Sequence, residues 1–221
     1  GTADAIQVLL FREKGQMQND VYELTSSTFE QSLDKIVGVS PATLRLKERI
    51  IQVAQSMSTV LITGESGTGK ELVANAIWKA SERKDEMFVA LNCAAIPEAL
   101  LESELFGYVK GAFTGANPGG RMGKFELANH GVLFLDEIHA LKPECQEKIF
   151  LFMDKGIYHM VGDNETWYSA KVRLIFATTE DPQKVLLKTL LRRIPILVQL
   201  PDLDHRPPAE KRELILSLLQ K

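Results

Sequence analysis

One glycine-rich motif limits what this chain can fold into more than any other feature. It has the form G-x-x-x-x-G-K and consists of Gly64, Glu65, Ser66, Gly67, Thr68, Gly69 and Lys70. A short apolar run, residues 59–63, precedes it, and a stretch with helical character, residues 70–80, follows it. Glycines let the backbone turn tightly, so that its N–H groups point inward at phosphate oxygens, and the helix N-terminus strengthens that field. The strand-loop-helix context therefore predicts a nucleotide phosphate loop in an α/β fold, with Lys70 as the cation for the β- and γ-phosphates.

The residue after Lys70 departs from the general motif. Position 71 is Glu, whereas the motif has a Ser or Thr whose hydroxyl binds Mg²⁺. A carboxylate also binds Mg²⁺, directly or through water. An acid is equally favourable in the first turn of a helix, where it faces the positive end of the dipole. Both interpretations of Glu71 stay open.

Apolar runs alternate with helical patterns along the rest of the chain. The predicted strands are residues 59–63, 87–91, 132–135, 172–177 and 196–200, and a hairpin is predicted from residues 157–161 and 166–169 around Gly162. The predicted helices are residues 41–57, 70–80, 97–106, 143–155 and 182–191. This alternation indicates βαβ units, and the near-continuous apolar strands are typical of a parallel sheet covered on both faces.

Length and composition restrict the remaining possibilities. The 221 residues fit one α/β domain, or one domain with a short appendage. Lys and Arg number 26 and Asp and Glu number 29, a net charge of −3 that argues against a dedicated nucleic-acid-binding domain. No apolar run reaches the ~18 residues of a membrane helix. Two cysteines are too few for a disulfide scaffold or a metal cluster, which favours the cytoplasm.

The two ends of the chain suggest a piece of a longer protein. Residues 1–30 contain two β-like runs, 6–11 and 21–24, and form a hairpin, a linker or the remnant of an upstream domain. The main domain is expected to occupy residues 31–221. The chain begins at Gly1 rather than Met and stops inside a helical pattern, so we expect it to be a fragment.

Two acids follow the predicted strand at residues 132–135. In a parallel sheet, ligands bind at the carboxyl ends of the strands, so Asp136 and Glu137 are expected beside the phosphate loop. Asp136 would serve the metal, and Glu137 would polarise a water near the γ-phosphate. Residues 136–139 also suggest a helicase motif, but such a helicase needs a second lobe for which the chain has no room. His139 is therefore expected to be only a polar residue beyond the strand. The four histidines show no metal-ligand spacing.

A six-residue run supplies a family resemblance. Gly111, Ala112, Phe113, Thr114, Gly115 and Ala116 resemble the signature loop of the sigma-54-dependent transcriptional activators, which are bacterial enhancer-binding AAA+ ATPases. Residues 64–72, 91–95, 102–107 and 133–138 are similar to that family too, and the similarity extends from about Ile36 to about Glu213. The resemblance implies an AAA+ core with a five-stranded parallel sheet flanked by helices, and a helical lid beyond Lys221. It further implies ATP and Mg²⁺ as cofactors, a homo-oligomeric ring of hexamer size, no membrane, and ATP hydrolysis that remodels the closed complex of sigma-54 RNA polymerase holoenzyme.

A narrower resemblance lies downstream. Residues 177–182, 187–189 and 192–195 are similar to the levanase-operon regulator subgroup, whose members respond to phosphotransferase sugar-uptake systems. The resemblance implies control of sugar-uptake operons, DNA binding through a domain outside this fragment, and phosphotransferase-system proteins as partners of the full-length protein.

The family roles fall on matching positions of this chain. The resemblance assigns the phosphate loop with Glu71 and Leu72 to ATP, Val37 and Gly38 to the adenine pocket, Asp136 and Glu71 to the metal, and residues 111–116 to sigma-54. The catalytic set it implies is Glu137, Asp136, Asn92, Thr179, Arg192 and Arg193. In that set, Asn92 restrains Glu137, Thr179 stands at a sensor position that is usually Asn, and Arg192 acts on a neighbouring subunit. The family's other arginine position holds Leu186, for which Arg193 is the candidate replacement.

Two rival functions remain at this stage. The first is an ATP-binding oligomerisation switch with weak or no turnover, which Leu186 and Thr179 motivate. The second is another kind of AAA+ remodeller, such as a protein unfoldase, which the run at residues 111–116 disfavours. Without a lid, the fragment itself is expected to be weakly active.

Overall fold

The computed structural model describes residues 32–202 and 207–212. Its strands are β1 (Val60–Thr63), β2 (Phe88–Asn92), β3 (Val132–Asp136), β4 (Ile157–Tyr158), β5 (Tyr168–Ser169), β6 (Arg173–Thr178) and β7 (Ile196–Gln199). Five of them form one parallel sheet in the order β2-β3-β6-β1-β7. Strands β4 and β5 form a separate antiparallel ribbon. The predicted five-stranded parallel sheet is therefore confirmed.

Helices cover both faces of the sheet. They are α1 (Pro41–Ala54), α2 (Lys70–Lys79), α3 (Glu98–Phe106), α4 (Lys124–Leu127), α5 (Pro143–Lys155), α6 (Pro182–Val185) and α7 (Lys188–Leu191), with 3₁₀ turns at Cys93–Ala95 and Ile138–Ala140. Residues 32–34 and 208–212 are also helical. In the part of the chain that the structure describes, none of these helices has the length and apolar character needed to cross a membrane.

The core consists of two apolar clusters, one on each face of the sheet. One packs α1 and α2 against the sheet through residues such as Ile50, Ile77 and Phe134. The other packs α3 and α5 through Leu105, Ile149 and Phe176. All six residues of β6, near the middle of the sheet, are buried. Burial on both faces explains why the strands are nearly continuous apolar runs instead of alternating polar and apolar residues.

The structure differs from the sequence prediction at residues 182–191. One helix was expected, but α6 ends at Val185 and α7 begins at Lys188. Leu186 takes an extended backbone (φ −106°, ψ 146°), which buries its side chain to 5% exposure. The Leu187 N–H then donates to the Gln146 side chain. Burial of a leucine thus outweighs continuation of the helix.

Two smaller differences concern short elements. The ribbon of β4 and β5 is shorter than the predicted hairpin, and α4 was not predicted. The expectation for residues 1–30, a hairpin, linker or remnant of an upstream domain, lies outside the described residues.

Gly131 permits the close approach of two chain segments where β3 begins. A Cβ atom added there would lie 2.1 Å from the carbonyl oxygen of Met87, a contact that needs the backbone to move. That carbonyl accepts from the Val132 N–H at 2.8 Å, while the Gly131 carbonyl accepts from the Arg173 N–H. We expect Gly131→Ala to lower the free energy of unfolding by about 1–3 kcal/mol, the usual cost of overpacking.

Denaturant unfolding of the two proteins measures this difference. The matched control is Gly119→Ala, where an added Cβ meets its nearest neighbour at 3.9 Å. We expect that substitution to change the unfolding free energy by less than about 0.5 kcal/mol. Equal unfolding midpoints for the two variants would contradict the packing argument.

Candidate functional site

The phosphate loop lies between β1 and α2 with its backbone already curled. Gly67 and Gly69 have φ values of +78° and +94°, which glycine adopts without steric cost. The Thr68 hydroxyl donates to the Glu65 carbonyl at 2.7 Å and closes the turn. Gly69 directly precedes α2, so the unpaired N–H groups of the first helical turn face the loop. This is the geometry of an anion-binding helix N-terminus.

Lys70 is buried to 6% exposure and folds back over the loop. Its Nζ donates to the carbonyl oxygens of Gly64 and Glu65 at 3.1 and 3.2 Å. The same Nζ lies 3.7 Å from Glu137 Oε1. The ammonium group is therefore held over the loop by acceptors that a phosphate can replace.

Asp136 and Glu137 stand at the carboxyl end of β3, opposite the phosphate loop. Asp136 Oδ1 accepts from the Glu137 N–H at 3.0 Å. Burial raises the pKa of the Asp136 carboxyl, and the hydrogen bond from Glu137 and the charge of Lys70 only partly oppose that rise. A nearby cation would stabilise the charged form of this partly buried carboxylate.

Glu137 has an unusual backbone and a fully engaged carboxylate oxygen. Its φ of 50° and ψ of 50° place it in the left-handed region, which is uncommon for a residue with a Cβ. Its Oε2 accepts from the Thr179 N–H at 3.2 Å and from the Thr179 hydroxyl at 3.0 Å. His139 Nδ1 lies 3.3 Å from the same oxygen. The structure thus brings Glu137, Thr179 and Lys70 together, and adds His139.

Asn92 is near this cluster in the sheet but bonds elsewhere. It is paired in register with Asp136 at the end of β2. Its Oδ1 accepts from the Ala94 N–H at 3.0 Å and caps the 3₁₀ turn that follows. The structure does not show the expected contact between Asn92 and Glu137. Thr179 makes hydrogen bonds to Glu137 instead.

The segment expected at the adenine pocket meets the far end of the described chain. Gly38 is buried with a φ of +129°, and an added Cβ would lie 2.7 Å from the Glu210 carboxyl group. Glu210 accepts from the Ser40 N–H and the Thr43 hydroxyl. Burial opposes its ionisation, but these hydrogen bonds outweigh the burial and lower the pKa of Glu210. Val37 beside Gly38 is half-buried.

The last two residues assigned to nucleotide lie on α2. Glu71 is exposed in the first helical turn, and Leu72 packs partly against the core. A cavity of about 510 Å³ opens beside the phosphate loop and is lined in part by Gly64, Glu65 and Thr179. This volume lies within the usual range for small-molecule sites.

The glycine-hinged loop at residues 111–116 lies outside the phosphate site. Gly111 and Gly115 have φ values of +76° and +87°, and the Ala116 N–H donates to the Phe113 carbonyl. Phe113 is 39% exposed, and its ring contacts the Tyr108 ring at a centroid distance of 5.0 Å. The loop therefore displays an aromatic side chain that is only partly supported by its own protein.

The base of this loop is firmly paired. Tyr108 and Arg121 exchange two backbone hydrogen bonds of 2.9 Å, and the Val109 N–H donates to the Val161 carbonyl in the segment after β4. Gly162 approaches Ala112 so closely that an added Cβ would lie 2.7 Å away. The loop is thus held against the segment that joins β4 to β5.

The two candidate arginines differ in their surroundings. Arg193 pairs with Asp154 at 2.5 Å and lies over the Phe150 ring. Arg192 ends α7 and is exposed, and no ion-pair partner for it lies within residues 32–202 and 207–212. Among the described residues, Arg193 therefore has an ion-pair partner and Arg192 has none.

Sequence reasoning missed two residues of this site. His139 follows Glu137 by two positions, and that adjacency was the one available signal. Glu210 had no such signal, because its partner Ser40 is 170 positions away.

Comparison with known proteins gives a consistent result. The model of the sigma-54 interaction domain matches residues 36–198. The chain is 46% identical over 175 residues to the signal-transduction and transcriptional-control protein of Clostridium beijerinckii, covering 79% of this chain and 28% of that protein. It is 45% identical over 205 residues to the anaerobic nitric oxide reductase transcription regulator NorR of Citrobacter koseri, covering 92% of this chain and 38% of that protein.

A solved structure agrees with these sequence matches. NtrX from Brucella abortus in complex with ATP aligns with a TM-score of 0.69 at 31% identity, covering 94% of this chain and 47% of that one. The chain spans roughly a third of the length of the relatives named above, 28% and 38% respectively.

Proposed function

Because the chain belongs to the sigma-54 interaction domain family, we propose that it hydrolyses ATP and uses that reaction to remodel the closed complex of sigma-54 RNA polymerase. The observation that supports this most directly is the cluster at the mouth of the phosphate loop. There, Lys70 lies 3.7 Å from Glu137, which Thr179 holds through two hydrogen bonds. The Brucella NtrX structure in complex with ATP makes ATP the nucleotide to propose.

The residues of the cluster divide the hydrolysis between them. Lys70 leaves the Gly64 and Glu65 carbonyls and binds the β- and γ-phosphates. Glu137 accepts a proton from a water whose oxygen attacks the γ-phosphorus. The bond between that phosphorus and the β-phosphate oxygen breaks, which leaves ADP and inorganic phosphate.

The donor set fits a magnesium ion. Mg²⁺ in nucleotide sites is held by one or two carboxylates together with phosphate oxygens and water. Asp136 supplies a carboxylate opposite the loop, and Glu71, exposed in the first turn of α2, is the candidate for a second, water-mediated contact. When bound, the ion neutralises charge on the phosphates.

Two exposed features, Arg192 and the loop at residues 111–116, indicate the remaining partners. Arg192 serves the ATP of a neighbouring subunit, which requires a homo-oligomeric ring, with a hexamer as the expected size. The loop at residues 111–116 contacts sigma-54 through Phe113 and Thr114, and large apolar side chains of this kind anchor interfaces.

The finer biological setting is part of the same proposal. The chain is similar to the levanase-operon regulators at residues 177–182, 187–189 and 192–195. This similarity supports control of sugar-uptake operons by a cytoplasmic protein. We expect DNA to be bound outside the described domain. The phosphotransferase-system proteins would then be partners of the protein at its full natural length.

Thr114→Ala tests the coupling of hydrolysis to sigma-54. Thr114 is exposed on the loop and outside the phosphate site, so its loss should leave most of the ATPase activity intact. Complex formation with sigma-54 in the presence of a transition-state analogue of ATP should fall below detection. Native gel analysis of the complex, beside steady-state ATPase, measures both properties.

The control for this test is Ser169→Ala, which removes an exposed hydroxyl from β5. It should change neither property. If Thr114→Ala binds sigma-54 with parental affinity, the coupling role of the loop is wrong, whereas loss of ATPase would place Thr114 in the hydrolytic site.

One rival keeps specific support. Leu186, at the family's other arginine position, is buried at 5% exposure and lacks any cationic group. This favours a nucleotide-dependent oligomerisation switch with weak turnover. Steady-state ATPase of the protein at its full natural length separates the two functions, because a switch would assemble with ATP and release almost no phosphate.

A further inference from the structure

His139 lies beside the candidate base, although no role was assigned to it. It belongs to the 3₁₀ turn Ile138–Ala140, directly after the left-handed Glu137. Its Nδ1 is 3.3 Å from Glu137 Oε2 and 3.2 Å from Thr178 Oγ1. The side chain is 27% exposed, so it is partly enclosed by its neighbours.

The neighbours of Nδ1 favour the tautomer that carries hydrogen on this nitrogen. An ionised carboxylate only accepts hydrogen bonds, so the approach of Nδ1 to Glu137 Oε2 is favourable when Nδ1 carries hydrogen. Thr178 Oγ1 already accepts from the Glu180 N–H at 3.1 Å, and with hydrogen on Nδ1 it accepts from His139 as well, at 3.2 Å. His139 thus links the end of β3 to the end of β6 through Glu137 and Thr178.

Two hydrogen bonds and one close approach meet on one oxygen of Glu137. Oε2 faces the Thr179 N–H, the Thr179 hydroxyl and His139 Nδ1, whereas Oε1 faces Lys70 and the phosphate loop. A carboxylate with one oxygen held this way cannot rotate freely. Its other oxygen then stays directed at the place where the attacking water must lie.

We propose that His139 is a positioning residue for Glu137: with Thr179, it holds Oε2 so that Oε1 is free to take the proton of the attacking water. The proposal rests on the proposed ATP hydrolysis, in which Glu137 is the base. It adds a residue to the site that acts through Glu137 and does not touch the nucleotide. The left-handed backbone of Glu137 agrees with it, since unusual backbone conformations persist where surrounding contacts hold them.

His139→Ala in the protein at its full natural length tests the role. We expect kcat to fall by about 10- to 100-fold, the loss typical when the orienting partner of a site residue is removed. The KM for ATP should stay unchanged, because Lys70 and the loop still bind the phosphates. His139→Asn should recover most of the loss, since its amide N–H₂ occupies the place of Nδ1.

Two further variants separate positioning from damage to the fold. His159→Ala is the control, because the His159 ring contacts the Trp167 ring in the segment that joins β4 to β5. It should keep the parental kcat. In a Glu137→Gln background, removal of His139 should produce no additional loss, since residues that act as a unit are not additive.

A spectroscopic readout does not depend on turnover. Imidazole ¹⁵N shifts of His139 should show the proton on Nδ1, and Glu137→Gln should change those shifts while leaving His159 alone. A proton on Nε2, an unchanged kcat in His139→Ala, or a full additional loss in the Glu137→Gln background would each overturn the proposal. If the parent protein releases no phosphate but the shifts are as expected, the geometry stands and the proposed ATPase function fails.

Discussion

Arg192→Ala is expected to lower ATP turnover by about 10³- to 10⁵-fold while leaving ATP binding intact. A guanidinium group stabilises the charge that spreads over the phosphoryl group as it transfers, and a neighbouring subunit can supply it. Arg192 is exposed at the end of α7, whereas Arg193 is paired with Asp154. Steady-state phosphate release and equilibrium nucleotide binding measure the two effects separately.

Arg193→Ala is the matched control, with an adjacent charge removed from the same turn. It should retain most of the turnover, because the Arg193 guanidinium is occupied by Asp154 and the Phe150 ring. If Arg193→Ala loses turnover and Arg192→Ala does not, Arg193 and not Arg192 is the arginine that acts on ATP.

Mixing two inactive variants tests whether Arg192 acts across a subunit boundary. Arg192→Ala subunits keep Glu137, and Glu137→Gln subunits keep Arg192, so one kind of mixed interface contains both intact groups. Partial recovery of turnover is expected in mixed rings confirmed by mass. No recovery at any mixing ratio would count against action in trans.

Glu137→Gln is expected to lower turnover by about 10²- to 10⁴-fold, the usual contribution of a positioned base. The amide keeps the shape and polarity of the side chain, so ATP should still bind, but it cannot accept the proton of the attacking water. Asp136→Asn is the contrasting variant, because its loss should appear first as weaker Mg²⁺-dependent nucleotide binding. Turnover equal to that of the parent in Glu137→Gln would remove Glu137 from the mechanism.

The parts of the molecule that the sequence predicted depend on local patterns. The phosphate loop is a contiguous motif, and its glycines, lysine and following helix are all local features of the chain. The five strands were recognisable because both faces of the sheet are buried, which makes each strand a short apolar run. Asp136 and Glu137 could be placed at the loop because parallel strands end at a common edge.

The parts that escaped prediction depend on long-range contacts. The hydrogen bonds from Thr179 and the approach of His139 to Glu137 depend on the register of β3 with β6 and on the left-handed backbone of Glu137. Helical periodicity continued through Leu186, but burial of that side chain breaks the helix. Neither a register nor the burial of a single leucine can be read from neighbouring residues.

Asn92 shows how family roles and geometry can separate. The resemblance assigned it to Glu137, but in this structure its side chain caps the turn that begins at Cys93. Thr179 makes the hydrogen bonds to Glu137. The role of Asn92 in restraining Glu137 stays a prediction, and an Asn92→Ala variant with altered coupling between ATP turnover and sigma-54 binding would support it.

We propose that ATP hydrolysis by the protein at its full natural length opens promoters held by sigma-54 RNA polymerase. Its most direct test is open-complex formation by the purified protein at its full natural length, with sigma-54 RNA polymerase on a supercoiled template carrying a sigma-54 promoter. Open complexes should form with ATP and fail to form with ADP, with a non-hydrolysable analogue, or with Glu137→Gln. Vigorous ATP hydrolysis without any open complex, or open complexes that form equally well with the non-hydrolysable analogue, would contradict the claim.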